Sequence, residues 1–403
     1  MKPTADIHLA DKTAAVPREV ERVSRQASRA TVRILRRYEE CQSLQMDWSH
    51  LLGSPVSSPF GMDMSATFEW TMAVWRNHLE QTDQTVLVVE AGGKICSVLP
   101  LHATTKRIHG FPCRMVSPIT EIFSGRCGFL VDEPQAERVE TLLASLRQRI
   151  ESWDIFAITL VEGSAQYDFL PELAGREKLQ LERLGTVSSP YLELCDSWEE
   201  FEKSLSKKFR SILRKIERNL RTEGTVTFRE LSKPDETEEF GRAVLEIERQ
   251  SWKEAAGTSL TKNLKQERFH ADWMQVAAAK GWFRGYLLEL NGIPIAYQNG
   301  SLYNNTFYGL KTSYKDGYRR FAPGNLVQRY LVERLCQDKV AYYDHMGICD
   351  SHKMEWTDKF YTRSTFVLYK STLRGWAARH CGALLERFRS NSAVSATPGP
   401  PSE

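Results

Sequence analysis

The chain has 403 residues, enough to bury a large core and to fold as two domains. Its 54 Lys and Arg against 51 Asp and Glu leave a formal charge of +3, too weak to argue for a specific nucleic-acid partner. The eight cysteines are scattered without CxxC or CxxH spacing, against a disulfide framework or a metal site, and no run of about 18 apolar residues marks a membrane span.

The N-terminus carries no apolar segment of the signal-peptide kind, so a reducing, cytoplasmic location is expected. Residues 1–45 read as a basic, partly disordered extension. Within it Arg18, Arg22, Arg25, Arg29, Arg33 and Arg36 recur at spacings of three and four, one stripe on a helix, with Val23, Ala27, Ala30 and Ile34 opposite. Such a stripe suits first a solvated helix or disordered tail, and as the alternative a peripheral anchor on an acidic surface such as the anionic inner face of a membrane or a partner.

Two stretches then resemble one another. The helical pattern FEWTMAVWRNHLEQT precedes a predicted hairpin at Thr85–Ala103, TVLVVEAGGKICSVLPLHA, which turns at Gly92-Gly93. The pattern FHADWMQVAAAKGWF precedes a second, Tyr286–Tyr303, YLLELNGIPIAYQNGSLY, turning at Asn291-Gly292. Each hairpin is followed by further β-like sequence and a helix, AERVETLLASLRQRI and NLVQRYLVERLCQ. The matching order predicts two copies of one α/β domain, at 46–195 and 196–372. Between them one linking helix is predicted, with Phe201, Leu205, Phe209, Ile212, Ile216 and Leu220 as its buried stripe and Gly224 at its end. Its cations, Lys203 to Arg221, suit a wet face or a cover over an anionic substrate. Residues 373–403 read as a basic helix and a disordered Pro/Ser tail.

Before the last predicted helix stands the loop Arg319-Arg320-Phe321-Ala322-Pro323-Gly324, with Asn325 opening the helix. A helix N-terminus leaves backbone N–H groups unpaired at the positive end of the macrodipole. Small residues there let an anion reach the backbone, and Lys315, Arg319 and Arg320 add positive charge, so the loop suits a diphosphate. At the corresponding place in the first copy Asp132 and Glu133 would repel one, which assigns the anion site to the second copy and acceptor-cleft shaping to the first.

The loop resembles the acyl-CoA signature of GNAT acetyltransferases, (Arg/Gln)-x-x-Gly-x-(Gly/Ala), with Arg319 first, Ala322 in place of a glycine and Gly324 last. Together with EIERQSWKEAAGTSL, YYDHMGICDSHKMEW and VLVVEAGGKICSVLPLH it resembles, more narrowly, the bacterial CelD-like acetyltransferases, tandem GNAT proteins related to Fem-type peptidyltransferases. The resemblance implies α/β (α+β) domains, each a mixed, mostly antiparallel twisted sheet flanked by helices. It also implies acyl transfer, most simply of acetyl, from acyl-CoA to an amine or hydroxyl of an envelope, polysaccharide or small-molecule acceptor, without a metal. His352-Lys353 replaces the Tyr-Lys of many relatives and Ala322 a serine. The first change removes any acceptor contact made by that tyrosine.

Such chemistry needs the reactants held together, a proton acceptor and donors for the developing oxyanion. Backbone N–H groups around Tyr308 to Lys311 suit the thioester oxygen. Asp344, Glu248 and His345 are the candidate bases, and Tyr308 or Tyr314 a proton donor to the departing thiolate. Lys311, Arg319, Arg320, Phe321, Ala322, Gly324 and Asn325 are assigned to the cofactor. Trp252, Lys253, His345, His352, Lys353 and Trp356 are assigned to the acceptor. A Fem-like aminoacyl-tRNA donor and a degenerate binding module stay open as alternatives.

Overall fold

The computed structural model describes residues 30–53, 62–78, 83–108, 111–120, 126, 128–150 and 152–380; the N-terminal arginines up to Arg29 and the Pro/Ser tail lie outside them. The first half contains β1 (Thr31–Leu35), β2 (Gln84–Ala91), β3 (Lys94–Ile108), β4 (Phe111–Pro118), β5 (Leu130–Val131) and β6 (Ile155–Val161). Its helices are α1 (Tyr38–Cys41), α2 (Gln45–Leu51), α3 (Phe68–His78), α4 (Gln135–Arg149) and α5 (Ala165–Arg176). After β7 (Gln180–Glu193) come α6 (Trp198–Ser204), α7 (Lys207–Arg221), β8 (Val226–Leu231), α8 (Thr237–Arg249), α9 (Trp252–Ala255) and α10 (Leu264–Ala279). The second meander is β9 (Phe283–Leu290), β10 (Ile293–Tyr303) and β11 (Thr306–Tyr314). The chain then runs through α11 (Pro323–Gln337), β12 (Tyr342–Asp344), α12 (Ser351–Met354), β13 (Phe360–Tyr369) and α13 (Leu373–His380).

All thirteen strands join one open sheet, ordered β1-β2-β3-β4-β6-β13-β7-β12-β11-β10-β9-β8, with β5 on β3. Its pairs are antiparallel except β4–β6 and β11–β12. Read from its two edges inward, the order repeats: an edge strand, a three-strand meander, then a parallel fifth strand. The sixth strand of each set comes from the other half of the chain. β13 pairs with β6, β7 pairs with β12, and the two lie antiparallel from Phe360↔Pro190 to Tyr369↔Gln180.

Three layers result. On one side α8 and α10 pack Phe240, Ile247, Phe269 and Trp273 onto the second meander. Across them lies α3 of the first half, whose Trp70 meets Phe269 and Trp273 edge-on at 5.0 and 4.7 Å. On the other side α6, α7 and α11 bury Phe209, Leu326, Leu331 and Trp356. No helix among the described residues is long and apolar enough to cross a membrane.

Two sequence expectations are corrected. Residues 31–35 form strand β1 rather than the end of a basic helix, because β-branched Thr31, Val32 and Ile34 pair with β2 and Arg33 meets Glu90 at 2.8 Å. The linking helix is two helices: Ser206 restarts the second by accepting from the Phe209 N–H, and that helix ends at Arg221, before Gly224.

On β11 the register places Asn299 opposite Lys311 and Gly300 opposite Gly309, leaving Leu310 as a bulge. The extra residue lets Leu310 and Lys311 both lean toward the α8 face. A Cβ on Gly300 would lie 2.1 Å from the Tyr308 carbonyl oxygen. Gly300→Ala should therefore cost about 1–3 kcal/mol of stability. Urea unfolding checks this, and an unchanged midpoint would show that the bulge is not tightly set.

Candidate active site

β11 and β12 pair in parallel from Thr306↔Tyr342 to Tyr308↔Asp344, where β12 ends, and β11 continues to Tyr314. Beyond it, the turn Asp316–Phe321 leads into α11. Ala322 takes the left-handed conformation, φ 42, that redirects the chain into the helix. Its carbonyl accepts the N–H groups of Asn325 at 2.9 Å and Leu326 at 3.4 Å. The Gly324 N–H has no partner among the described residues, and a Cβ there would meet only the Tyr314 ring, at 3.7 Å. An anion can therefore approach this helix start, although fewer bare amides face it than the motif implied. The side-chain cations are partly spoken for. Arg319 pairs with Asp316 at 3.2 Å, Arg320 with Glu223 at 3.2 Å, and Lys315 with Glu246 at 2.5 Å. Phe321 is buried beneath the Arg320 guanidinium, which sits 4.6 Å from its ring, so it anchors the loop. Asn325 Oδ1 is buried without a partner among the described residues.

Beside the bulge lies a second polar group. Glu248, at the end of α8, is wholly buried; it accepts the Tyr297 O–H at 2.6 Å and the Leu260 N–H at 3.0 Å. Lys311 Nζ stands 4.0 Å away. Burial would raise this carboxyl, but the charges of Lys253 and Lys311 and the two hydrogen bonds outweigh it and hold it below the usual range. Lys253, on α9, keeps some exposed surface but turns its ammonium inward onto the Thr312 carbonyl. Burial, and then the neighbouring Lys311 charge, push it down to about 8. His270 Nε2 lies 2.9 Å from Asn299 Nδ2, and burial followed by Lys311 pushes its imidazole down to about 4.

Asp344 belongs to a different cluster. It accepts Arg126 Nη1 at 3.0 Å and the Tyr361 O–H at 3.0 Å, while its other oxygen takes the Met346 N–H at 2.8 Å. Arg126 also lies 3.6 Å from Asp63, whose carboxyl is raised by burial, and its guanidinium covers the rings of Tyr308 and Tyr361. Asp63 and Arg126 come from the first half, Asp344 and Tyr361 from the second. All are buried.

The remaining expected residues divide. Lys353 reaches the Ile348 carbonyl at 3.0 Å and Asp350 at 3.1 Å. His345 is buried against Tyr343, ring centroids 4.3 Å apart, with no partner for Nε2 among the described residues; burial and then Lys353 lower its pKa well below the ordinary value. Trp252 is half-buried on α9, and His352 is exposed on α12. Trp356, expected at the acceptor cleft, is instead a core residue packed edge-on against Phe209 at 5.1 Å. The sequence reasoning missed Tyr297, His270, Asn299 and Arg126. Polar Gln298-Asn299 inside an apolar strand was a visible sign; nothing local distinguished Arg126. In the first half, Glu133 accepts the Gln135 N–H at 3.1 Å and Asp132 pairs with Arg138 at 2.8 Å, so acidic groups occupy the start of α4. Among the described residues no group of three His, Cys, Asp or Glu could hold a metal ion.

Residues 207–354 match the model of the acetyltransferase (GNAT) domain, so the second half carries a domain of that type. No curated protein matches the chain. Among solved structures, FemX is similar at a TM-score of 0.53 and 14% identity, over 80% of this chain and 95% of that one. A conserved protein of unknown function from Bacteroides thetaiotaomicron is similar at 0.52 and 11% identity, over 80% and 97%. At such identities the likeness concerns the fold.

Asp344→Asn should destabilise the protein by about 3–5 kcal/mol, because it breaks a fully buried ion pair. Chemical denaturation reads this directly, and a loss under 1 kcal/mol would mean that the pair is not what joins the halves.

Proposed function

We propose that the protein is an acyl-CoA-dependent N- or O-acyltransferase, acetyl being the simplest acyl group, acting on an amine or hydroxyl of an envelope, polysaccharide or small-molecule acceptor. One observation carries the proposal. β11 runs on past its last pairing with β12 at Tyr308↔Asp344, and beyond its end α11 starts with a Gly324 N–H that has no partner among the described residues. In this reading the donor's diphosphate sits at the start of α11, with Arg319 and Arg320 exchanging their carboxylate partners for phosphate. The pantetheine arm runs along β11 beyond the end of β12, which brings the thioester to the Leu310 bulge. A bulge frees backbone from the ladder, so an N–H there can meet the carbonyl oxygen as it gains charge.

The acceptor's nitrogen or oxygen then attacks the thioester carbon while its proton passes to a protein base, and the C–S bond breaks to release the CoA thiolate, which takes up that proton. In this reading Glu248 is the base, because it lies beside Lys311 next to the bulge, whereas Asp344 is bound directly to the buried Arg126 guanidinium as well as to Tyr361 and the Met346 N–H. Tyr308, beneath Arg126, supports that cluster rather than the leaving group.

Isothermal titration with acetyl-CoA tests the donor. Gly324→Asp should weaken binding at least tenfold, and joint reversal of Arg319 and Arg320 to Glu should do likewise without unfolding the chain. Undiminished affinity in both variants would remove the phosphate assignment. Once an acceptor is in hand, Glu248→Gln should lower kcat by about 10²–10⁴ while leaving the acetyl-CoA Kd within twofold. Full turnover in that variant would exclude Glu248 as the base.

A further inference from the structure

The outward face of α7 is almost wholly cationic. Its exposed positions are Lys207, Lys208, Ser211, Arg214, Lys215, Arg218 and Arg221, so every one but the serine is a lysine or arginine. The opposite face is spent on the core, where Phe209, Leu213 and Leu220 are buried. With Arg210 included, seven cations and a single carboxylate give this helix of 15 residues a charge of +6. The whole chain has a formal charge of +3, so the rest of it is −3.

Few of these charges are answered. Glu217, the one carboxylate of the helix, turns toward α11, where it accepts the Tyr330 O–H at 2.7 Å and pairs with Arg221 at 2.9 Å. Arg214 pairs with Glu202 of α6 at 2.8 Å. Lys207, Lys208, Lys215 and Arg218 have no hydrogen-bond or ion-pair partner among the described residues. Arg218 follows Arg214 by one turn, a spacing at which like charges repel and lower helix stability. The basic face also continues past the helix, because Glu223 holds Arg320 at 3.2 Å and leaves that side chain 70% exposed just before α11.

The chemistry of the face selects its partner. Its exposed positions carry no aromatic ring on which single-stranded bases could stack, no apolar centre for a protein interface and no apolar stripe for insertion among acyl chains. A layer of anionic lipid headgroups requires only cations on long arms. The negative remainder of the chain favours contact through this one face and orients the protein on a plane. We infer that α7 docks the protein on the surface of a membrane containing anionic lipid, by electrostatic contact without insertion. The start of α11, tied to α7 through Tyr330 and Glu223, then lies beside that contact. The docking does not rest on the acyltransferase reading.

Co-sedimentation of the full-length chain with vesicles tests it. Equimolar phosphatidylcholine and phosphatidylglycerol should bind the protein, phosphatidylcholine alone should not, and added salt should release it. Lys207→Gln, Lys208→Gln and Lys215→Gln together should weaken binding roughly a hundredfold, about fivefold per charge, at an unchanged thermal midpoint. The same three positions changed to Arg should retain it. Binding that is absent, indifferent to phosphatidylglycerol or undiminished in the Gln variant overturns the inference. So does a nucleic-acid duplex bound as tightly as the vesicles and lost in that variant, which would give the face to nucleic acid. A tenfold loss of acetyl-CoA affinity in the Gln variant would give the lysines to the donor and overturn it as well. If acetyl-CoA fails to bind the wild-type chain while lysine-dependent vesicle binding persists, the docking face stands and the donor assignment falls.

Discussion

β7 and β13 lie side by side at the centre of the sheet, and each serves the half of the chain it does not come from. Neither half can complete its sheet alone. Removing β13 would strip β6 of a partner along its whole length, and removing β7 would leave the short β12 held only by three residues of β11. The exchange therefore turns a duplicated unit into a single folding object. It also fixes where β12 ends, and the site depends on that.

Because β12 is so short, β11 runs on past its end. The bulge at Leu310 falls in this unsupported stretch, where a strand can take an extra residue without disturbing a neighbour on its far side. Gly300 accepts the carbonyl that the bulge pushes toward it, and Gly309 leaves room for the Tyr343 ring, whose nearest atom would be 2.9 Å from a Cβ. The overhang of β11, the bulge and the start of α11 are consequences of one arrangement. Two buried charge clusters lie around it: Arg126 with Asp63 and Asp344 ties the halves together, while Glu248 stands beside Lys311 on β11.

The sheet is doubled but its chemistry is not. The helix start of the first half is met by Asp132 and Glu133, that of the second by an open Gly324 N–H and two arginines. The first half contributes instead through contact, with Trp70 wedged on α10 and Arg126 delivered beneath Asp344.

Much of this was legible along the chain. Both hairpins fall where Gly92-Gly93 and Asn291-Gly292 place them, and the helices covering them follow their apolar periods, since turn chemistry and amphipathicity act over a few residues. The loop before α11 was readable for the same reason: a helix start and a glycine are local facts. The arginine spacing at residues 31–35 misled, because an edge of β2 offered a strand partner that no short window reveals. Trp356 looked like a cleft residue and proved to be core, as burial depends on what folds over it. Asp344 looked like a base until Arg126, more than two hundred positions earlier, was set against it. Local preference determined the elements and the turn before α11. Only the tertiary structure decided which strand completes which half and that Asp344 is met by Arg126, because each of these rests on contacts between segments far apart in sequence.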